Sequence, residues 1–513
     1  MDSPAVTQLF RRLFRHHPTC QSRRNLAALA SAIRHVRRQR LQQQHLSRLF
    51  QHRSYVSRSR GGPQSRAALE ESNWQQRSNL FQQDLSDEFK KFPMVTALDL
   101  RYRKERPRRV KMLMRDFIED SLYNPHYGYF SKQVVIFSPG EPFDFPSLYD
   151  DLEFHTLLSR RYVEFEDAMD AVSPSDTRQL WYTPTELFRP YYGDAIARYL
   201  VANYKLTTYP YHDLIIYEMG AGRGTLMRNI LDYIREVDPD VYARTKYKII
   251  EISTQLATLQ NSELKQSADA RGHADKVEII NQSIFDWSHR VPSPCFFLAF
   301  EVFDNFAHDV IRYDPATEEP HQGLVLIDEA GDFYEFYTRH LDPVAARFLR
   351  VRDAATGGRY KVPYPTSRLG KWLAAQRPLA PNLSEPEYIP TRLMQFFDVL
   401  GRFFPGHRLL TSDFNSLPGA IKGLNAPIVQ TRYQREPVPV TTPLVHQGYF
   451  DIMFPTNFQT AEATYQAITG KLTRVVSHKE FMRRWAYLED TETRSGENPL
   501  LSWYKNTSVL FTV

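Results

Sequence analysis

Short apolar runs separated by stretches of helical period recur through the middle of the chain. Leu214, Ile215, Ile216 and Tyr217 form the first, followed by Glu218 and then by Gly220, Gly222 and Gly224. Leu226, Ile230, Tyr233 and Ile234 repeat next at helical spacing, which predicts a helix with one buried face. Runs at 247–250, 277–280 and 296–300 read as further buried parallel strands, two of them closed by Glu251 and Glu301. Repeated βα units of this kind predict an α/β fold with a doubly wound, mostly parallel sheet.

On either side of these units the pattern changes. Alternating runs between 310 and 337, set apart by Asp314, Pro315, Gly331 and Asp332, predict a β-meander inserted into the sheet. The stretch 341–399 is punctuated by proline, with a helix expected at 393–400, and 408–412 is expected to rejoin the sheet. Segments 448–453 and 508–513 are the candidates for its last antiparallel strands. Upstream, Met114, Phe117, Ile118 and Leu122 predict an amphipathic helix that breaks at Asn124, Pro125 and Gly128. Residues 131–179 show no sustained period and read as a long excursion. Beyond it, 181–192 leads into a helix carrying Ala195, Ala197, Leu200 and Val201.

Charge changes the picture at the leading end. The 513 residues hold 65 basic and 59 acidic side chains, a balance that by itself points to nucleic acid or a membrane surface. Residues 1–69, however, contain 14 Arg, no Lys and one acidic residue, so the remainder carries a net charge of −7. An Arg-rich, acid-poor segment in which Leu9, Phe10, Leu13 and Phe14 alternate with Arg11, Arg12 and Arg15 has the character of a mitochondrial transit peptide. Residues 1–61 are assigned that role, with matrix processing near Arg53 to Val56; a basic RNA-binding tail is the alternative, lacking an aromatic stacking platform. Two cysteines, Cys20 and Cys295, supply neither a disulfide framework nor a thiolate metal site. No metal is expected, and no apolar run approaches the ~20 residues that span a bilayer.

The glycine stretch is where chemistry enters. Three glycines spaced by two leave bare backbone for a ligand, and the N–H groups opening the next helix favour a carboxylate or phosphate. A tight turn is the plain alternative. Gly224 follows Gly220 by four positions, one short of the dinucleotide fingerprint that a nicotinamide-dependent oxidoreductase would carry. Thr225 is not preceded by the lysine of a phosphate-binding loop. An acidic residue followed by G-x-G-x-G instead resembles the cofactor loop of class I S-adenosylmethionine-dependent methyltransferases. For that ligand Glu251 is placed to accept from the ribose diol. Glu218 would face the cationic amino end, with Ser283 and Asp286 as candidates on the adenine side.

Several separate blocks between about residues 117 and 458 resemble the MidA-like family of mitochondrial methyltransferases, whose best-known member is a protein arginine methyltransferase acting in assembly of respiratory complex I. The family's L-Y-x-P-x-x-G-Y-Y appears from Leu122 to Phe130. Its T-A-P-E block survives as Thr183, Pro184, Thr185 and Glu186, with Thr183 and Glu186 as substrate-proximal residues. Its N-E-F-F-D-A-L-P block runs from Phe300 to Ala307, and its G-x-x-D-I block includes Gly448, Asp451 and Ile452. The resemblance implies methylation of an arginine in a protein partner, with Glu301 and Asp304 gripping the guanidinium as paired carboxylates. Phe300 stands where the family has Asn, Ala307 where it has Pro, and Asp413, Phe414 and Asn415 where it has D-Y-G.

The expected layout is therefore a transit peptide at 1–61, an N-terminal lobe at 85–205 with the excursion 131–179, and a methyltransferase domain at 206–513 with an insertion at 306–400. The expected activity is S-adenosylmethionine-dependent arginine methylation in the mitochondrial matrix, on a protein substrate such as a complex I subunit and not on nucleic acid. A catalytically weak, cofactor-binding assembly scaffold is the competing reading, motivated by Phe300.

Overall fold

The computed structural model describes residues 74–76, 83–132, 134–251, 269, 271–367, 369–370 and 382–513. The assigned transit peptide lies outside the described residues. A seven-stranded sheet organises the rest, built from β1 (Leu214–Met219), β2 (Thr245–Glu251), β3 (Val277–Asn281), β4 (Cys295–Phe300), β5 (His407–Phe414), β6 (Thr473–Ser477) and β7 (Thr507–Thr512). Its order is β3-β2-β1-β4-β5-β7-β6, with β1 to β5 parallel and β7 antiparallel to both neighbours. This is the mostly parallel α/β sheet that the repeated βα units predict. Chain order reverses between β1 and β4, and ligands of open α/β sheets bind beyond the carboxyl ends of the strands at such a reversal.

Helices α1 (Met114–Tyr123), α2 (Asp151–Val172), α3 (Tyr191–Thr207), α4 (Thr225–Val237), α5 (Pro343–Thr356), α6 (Thr391–Phe403), α7 (Phe458–Thr469) and α8 (His478–Trp485) surround it. One face of the sheet packs against α3, α4 and α8 through Ile196, Leu200, Leu226, Ile230, Ile234 and Phe481. Its other face packs against α6 and α7 through Phe396, Phe397, Leu400, Phe458 and Tyr465. Cover on both sides explains why the strands read as continuous apolar runs rather than alternating ones.

The meander strands Asp309–Tyr313, Pro320–Ile327 and Phe333–Thr338 do not enter the central sheet. They form a second sheet with Glu387–Ile389 and with two N-terminal strands, Trp74–Gln76 and Val110–Leu113. The N-terminal lobe and the insertion thus share one sheet. Arg115 of α1 ties them further, bonding Asp309 at 2.6 Å and Asp342 at 2.9 Å.

Three further departures have local causes. The excursion contains α2, whose period is hidden because Leu152 and Val172 face solvent while Glu166 is buried. Burial of that acid is offset by a two-pronged bond from Arg432 at 2.7 and 3.0 Å. A parallel pair, Val134–Ile136 with Gln179–Trp181, closes the excursion at its base. In the proline-punctuated stretch, Pro343 opens α5 instead of breaking a segment, with Asp342 as its cap. Segment 448–453 does not reach the central sheet: Asp451–Met453 pairs with Ile428–Tyr433, and the edge position goes to β6. Among the described residues no helix is long and apolar enough to cross a membrane.

Candidate functional site

At the carboxyl end of β1 the backbone turns through Gly220, Gly222 and Gly224 at φ of 74°, 54° and 73°. All three lie in the left-handed region that glycine adopts without steric cost. A Cβ on Gly220 would stand 3.3 Å from Val302, and one on Gly222 would stand 2.8 Å from Ile136. The loop is therefore a cradle that side chains would fill, bordered by the end of β4 on one side and by the base of the excursion on the other.

Gly224 caps α4 without a side chain. The first residue of that helix, Thr225, donates to the buried Glu186 at 2.5 Å, and Arg228 donates to Thr225 at 2.9 Å. Thr183 accepts from the Glu186 amide and starts the short helix that delivers this acid. The structure thus brings the Thr183–Glu186 block to the glycine loop. Thr183 and Glu186 bond within this block and to the start of α4.

Glu218 is buried beside the loop and accepts from Tyr247 at 2.8 Å. Burial raises its pKa to about 7, against the Tyr247 bond and with a further push from the charge of Glu251. Glu251, half-buried, ends β2 opposite Asn281 of β3. Ser283 and Asp286 follow β3, but each has a structural partner. Ser283 accepts from the Phe285 amide, and the half-exposed Asp286 pairs with Arg101 at 3.2 Å.

Beyond β4 the chain enters a dense acidic pocket. Glu301 takes φ of 51°, a conformation that costs a non-glycine residue energy and persists only where its surroundings enforce it. Its amide donates to the Ser412 carbonyl at 2.9 Å. Asp413, at the end of β5, accepts from the amides of Val302 at 3.1 Å and Phe303 at 2.8 Å. Asp451 accepts from Asn305 at 2.9 Å, while Tyr123 of α1 donates to the Asn305 carbonyl at 3.1 Å. Asp304 is buried, and its Oδ1 has no hydrogen-bond partner.

These groups hold one another's protons. Burial and then Asp413 push the Glu301 carboxyl well above the usual range. Burial, Asp413, Asp451 and Glu301 do the same to Asp304. Asp413 rises only to about 6, because burial is opposed by the amides it accepts from, and Asp451 rises to about 7. Tyr192 and Tyr504 stand close enough to Glu301 to feel its charge, and Phe300 meets the Tyr192 ring edge-on at 6.2 Å. Among the described residues no group of three or more His, Cys, Asp or Glu could hold a metal ion.

Comparison with known proteins settles the class. The family described as “Putative S-adenosyl-L-methionine-dependent methyltransferase” matches residues 195–476, more than half of the chain. The chain belongs to that family. Its cofactor is S-adenosyl-L-methionine, and the three left-handed glycines keep the loop after β1 free of side chains. The chain is similar to the mitochondrial protein arginine methyltransferase NDUFAF7 homolog of Schizosaccharomyces pombe, with 25% identity over 394 residues, 73% of this chain and 80% of that one. It is also similar in fold to a Burkholderia thailandensis protein crystallised with S-adenosyl-homocysteine, at 14% identity and a TM-score of 0.47, over 79% of this chain and 88% of that chain. A native crystal structure of an uncharacterised protein from the same organism gives the same identity and TM-score, over 79% of this chain and 87% of that one.

Sequence reading assigned no role to Asp413, Asp451, Tyr192 or Tyr504. The first two lie in quoted family blocks, so the available signal was an acid at the end of a strand expected to be buried. Nothing local marks the two tyrosines, which reach the pocket from α3 and from the turn before β7.

Proposed function

We propose that the chain is an S-adenosylmethionine-dependent protein arginine N-methyltransferase of mitochondria, acting on a respiratory-complex subunit such as one of complex I during assembly. The observation that carries this reading is the Glu301–Asp304 pair, a half-buried and a buried acid on the turn beside the glycine loop, the second with an unpartnered oxygen. Such a pair suits a planar cation that presents several N–H donors and no acceptor. The name of the S. pombe relative supports the same substrate class.

In this reading the glycine loop and the start of α4 hold the amino-acid carboxylate of the cofactor, Glu218 its ammonium group and Glu251 its ribose, with Ser283 and Asp286 bordering the adenine side. When bound, the cofactor supplies an electrophilic methyl group. Glu301 and Asp304 then orient one guanidinium nitrogen toward it, and most of the acceleration comes from that positioning and from carboxylate charge as the nitrogen sheds its proton. The test is mass spectrometry of mitochondrial proteins with and without this gene. A methylarginine that disappears with the gene supports the reading, and an unchanged set contradicts it.

A second reading, a cofactor-binding scaffold with weak catalysis, is favoured by one observation: Phe300 places a ring against Tyr192 where the family blocks carry a polar amide. Methylation of a mitochondrial partner by the wild-type chain excludes it.

Protonation of Glu218 gives cofactor binding a pH dependence. Its carboxyl is ionised above about 7 and neutral below, and only the anion pairs with the ammonium group. Affinity for S-adenosylhomocysteine should therefore fall as pH drops through that value, about tenfold between pH 8 and pH 6. Calorimetric titrations at the two pH values check this; equal affinities would remove Glu218 from the ammonium subsite. Matrix targeting by residues 1–61 is checked separately, since a reporter fused to them should enter mitochondria and one that stays cytosolic contradicts the assignment.

A further inference from the structure

Asp413 is a buried acid that the roles above leave unused. It projects from the end of β5 and spends both oxygens on backbone: Oδ2 accepts from Val302 and Phe303, and Oδ1 accepts from the Phe414 amide at 2.7 Å. The Val302 and Phe303 amides belong to the turn that sets Glu301 in its left-handed conformation and ends at Asp304. An acid that accepts several N–H bonds is stabilised as the anion, and of this group Asp413 has the most such bonds to amides near the pair. The charge therefore resides first on Asp413, beside two carboxyls whose ionisation burial and that charge oppose.

We infer that Asp413 is a positioning residue for the transfer step: it fixes the Glu301–Asp304 turn through backbone amides and holds a negative charge beside both carboxyls, so that Glu301 is a strong base. The inference rests on the arginine methyltransferase reading. As the guanidinium, already protonated, enters the pocket, Glu301 gives up its proton to solvent and the resulting anion grips the cation. As the bond between the guanidinium nitrogen and the methyl carbon forms, the carbon–sulfur bond breaks with its electron pair leaving on sulfur, and the proton shed by nitrogen returns to Glu301.

The charges acting here are few. Glu301 is faced by Asp413 from β5, by Asp304 on its own turn, by Tyr192 from α3 and by Tyr504 from the turn before β7. Asp304 is faced in addition by Asp451 and by Tyr123 of α1. No described Lys, Arg or His forms an ion pair with any of the four acids. Removing the Asp413 charge must therefore make Glu301 easier to ionise.

Infrared titration of the full-length chain tests this, each protein being measured against its own Glu301→Gln counterpart so that the Glu301 carboxyl band is isolated. In Asp413→Asn that band should vanish at lower pH than in the wild type. The acid limb of kcat/KM for tritiated methyl transfer, into protein extracts of mitochondria lacking this chain, should move the same way. A loosened turn should also lower kcat about 100-fold. A fall in kcat with an unmoved band would leave Asp413 a structural prop and overturn the inference. Should Asp413→Asn fail to fold, the wild-type band decides, because ionisation in the ordinary glutamate range near ~4.3 overturns it as well. Absence of transfer by the wild type would remove the methyltransferase reading instead, while the band shift would still report on Asp413, so the two failures are told apart.

Discussion

Glu301→Gln should lower methyl transfer by about 10³-fold, the loss expected when a positioned base is removed, while affinity for S-adenosylhomocysteine stays within about threefold. The substitution keeps the size of the side chain and removes only its capacity to ionise. Glu301 lies beyond β4 and contacts the turn held by Asp413 and Ser412. The residues assigned to the cofactor lie instead on β1, β2 and the start of α4. A change confined to the β4 turn therefore separates transfer from binding. Initial rates of tritium incorporation and calorimetry with S-adenosylhomocysteine measure the two quantities. Normal turnover in the variant would take Glu301 out of the mechanism, and parallel loss of both would make it a cofactor ligand.

Gly448→Ala should be among the most destabilising single substitutions in the chain, by roughly 3–5 kcal/mol, a range reached only through a named defect such as backbone strain. Gly448 has φ of 81°, and a Cβ there would lie 1.6 Å from the carbonyl oxygen of Tyr127. That oxygen is backbone and cannot rotate away. Tyr127 is itself fixed, since its hydroxyl donates to Asp120 at 2.8 and 2.9 Å and Arg106 lies over its ring. Accommodation requires the block at Leu122–Phe130 and the block at Gly448–Ile452 to part. Asp451 holds Asn305 beside the Glu301 turn, so the same displacement should weaken transfer in whatever fraction remains folded. Thermal and denaturant unfolding against the wild type check the first effect, and stability equal to the wild type would contradict the placement of these segments.

Gly448 also shows where sequence reading stops. The resemblance identified the blocks around Leu122, Phe300, Asp413 and Gly448, but nothing along the chain states that they meet. In the fold Tyr123, Asp413 and Asp451 all bond to the turn from Glu301 to Asn305. The parallel strands were legible because burial on both faces leaves an uninterrupted apolar run, whereas the glycine spacing alone left a tight turn open until the acidic strand ends and the family blocks were added. Helix α2 was hidden by the exchange of a buried Glu166 for exposed leucine and valine, a pattern that makes sense only once Arg432 is in place. Strand β6 is a short edge strand with little burial to mark it. Glu301 and Asp304 are harder to ionise first through burial and then through the charge of Asp413, more than 100 positions away in the chain.

In the proposed reaction this chain transfers a methyl group to arginine through the Glu301 turn. Purified full-length chain, incubated with trideuteromethyl-labelled S-adenosylmethionine and protein extract from mitochondria lacking it, followed by tandem mass spectrometry, tests that most directly. The account predicts the labelled methyl group on an arginine side-chain nitrogen with the wild type and its loss with Glu301→Gln. Label on another residue type, no label, or undiminished label with Glu301→Gln would contradict it.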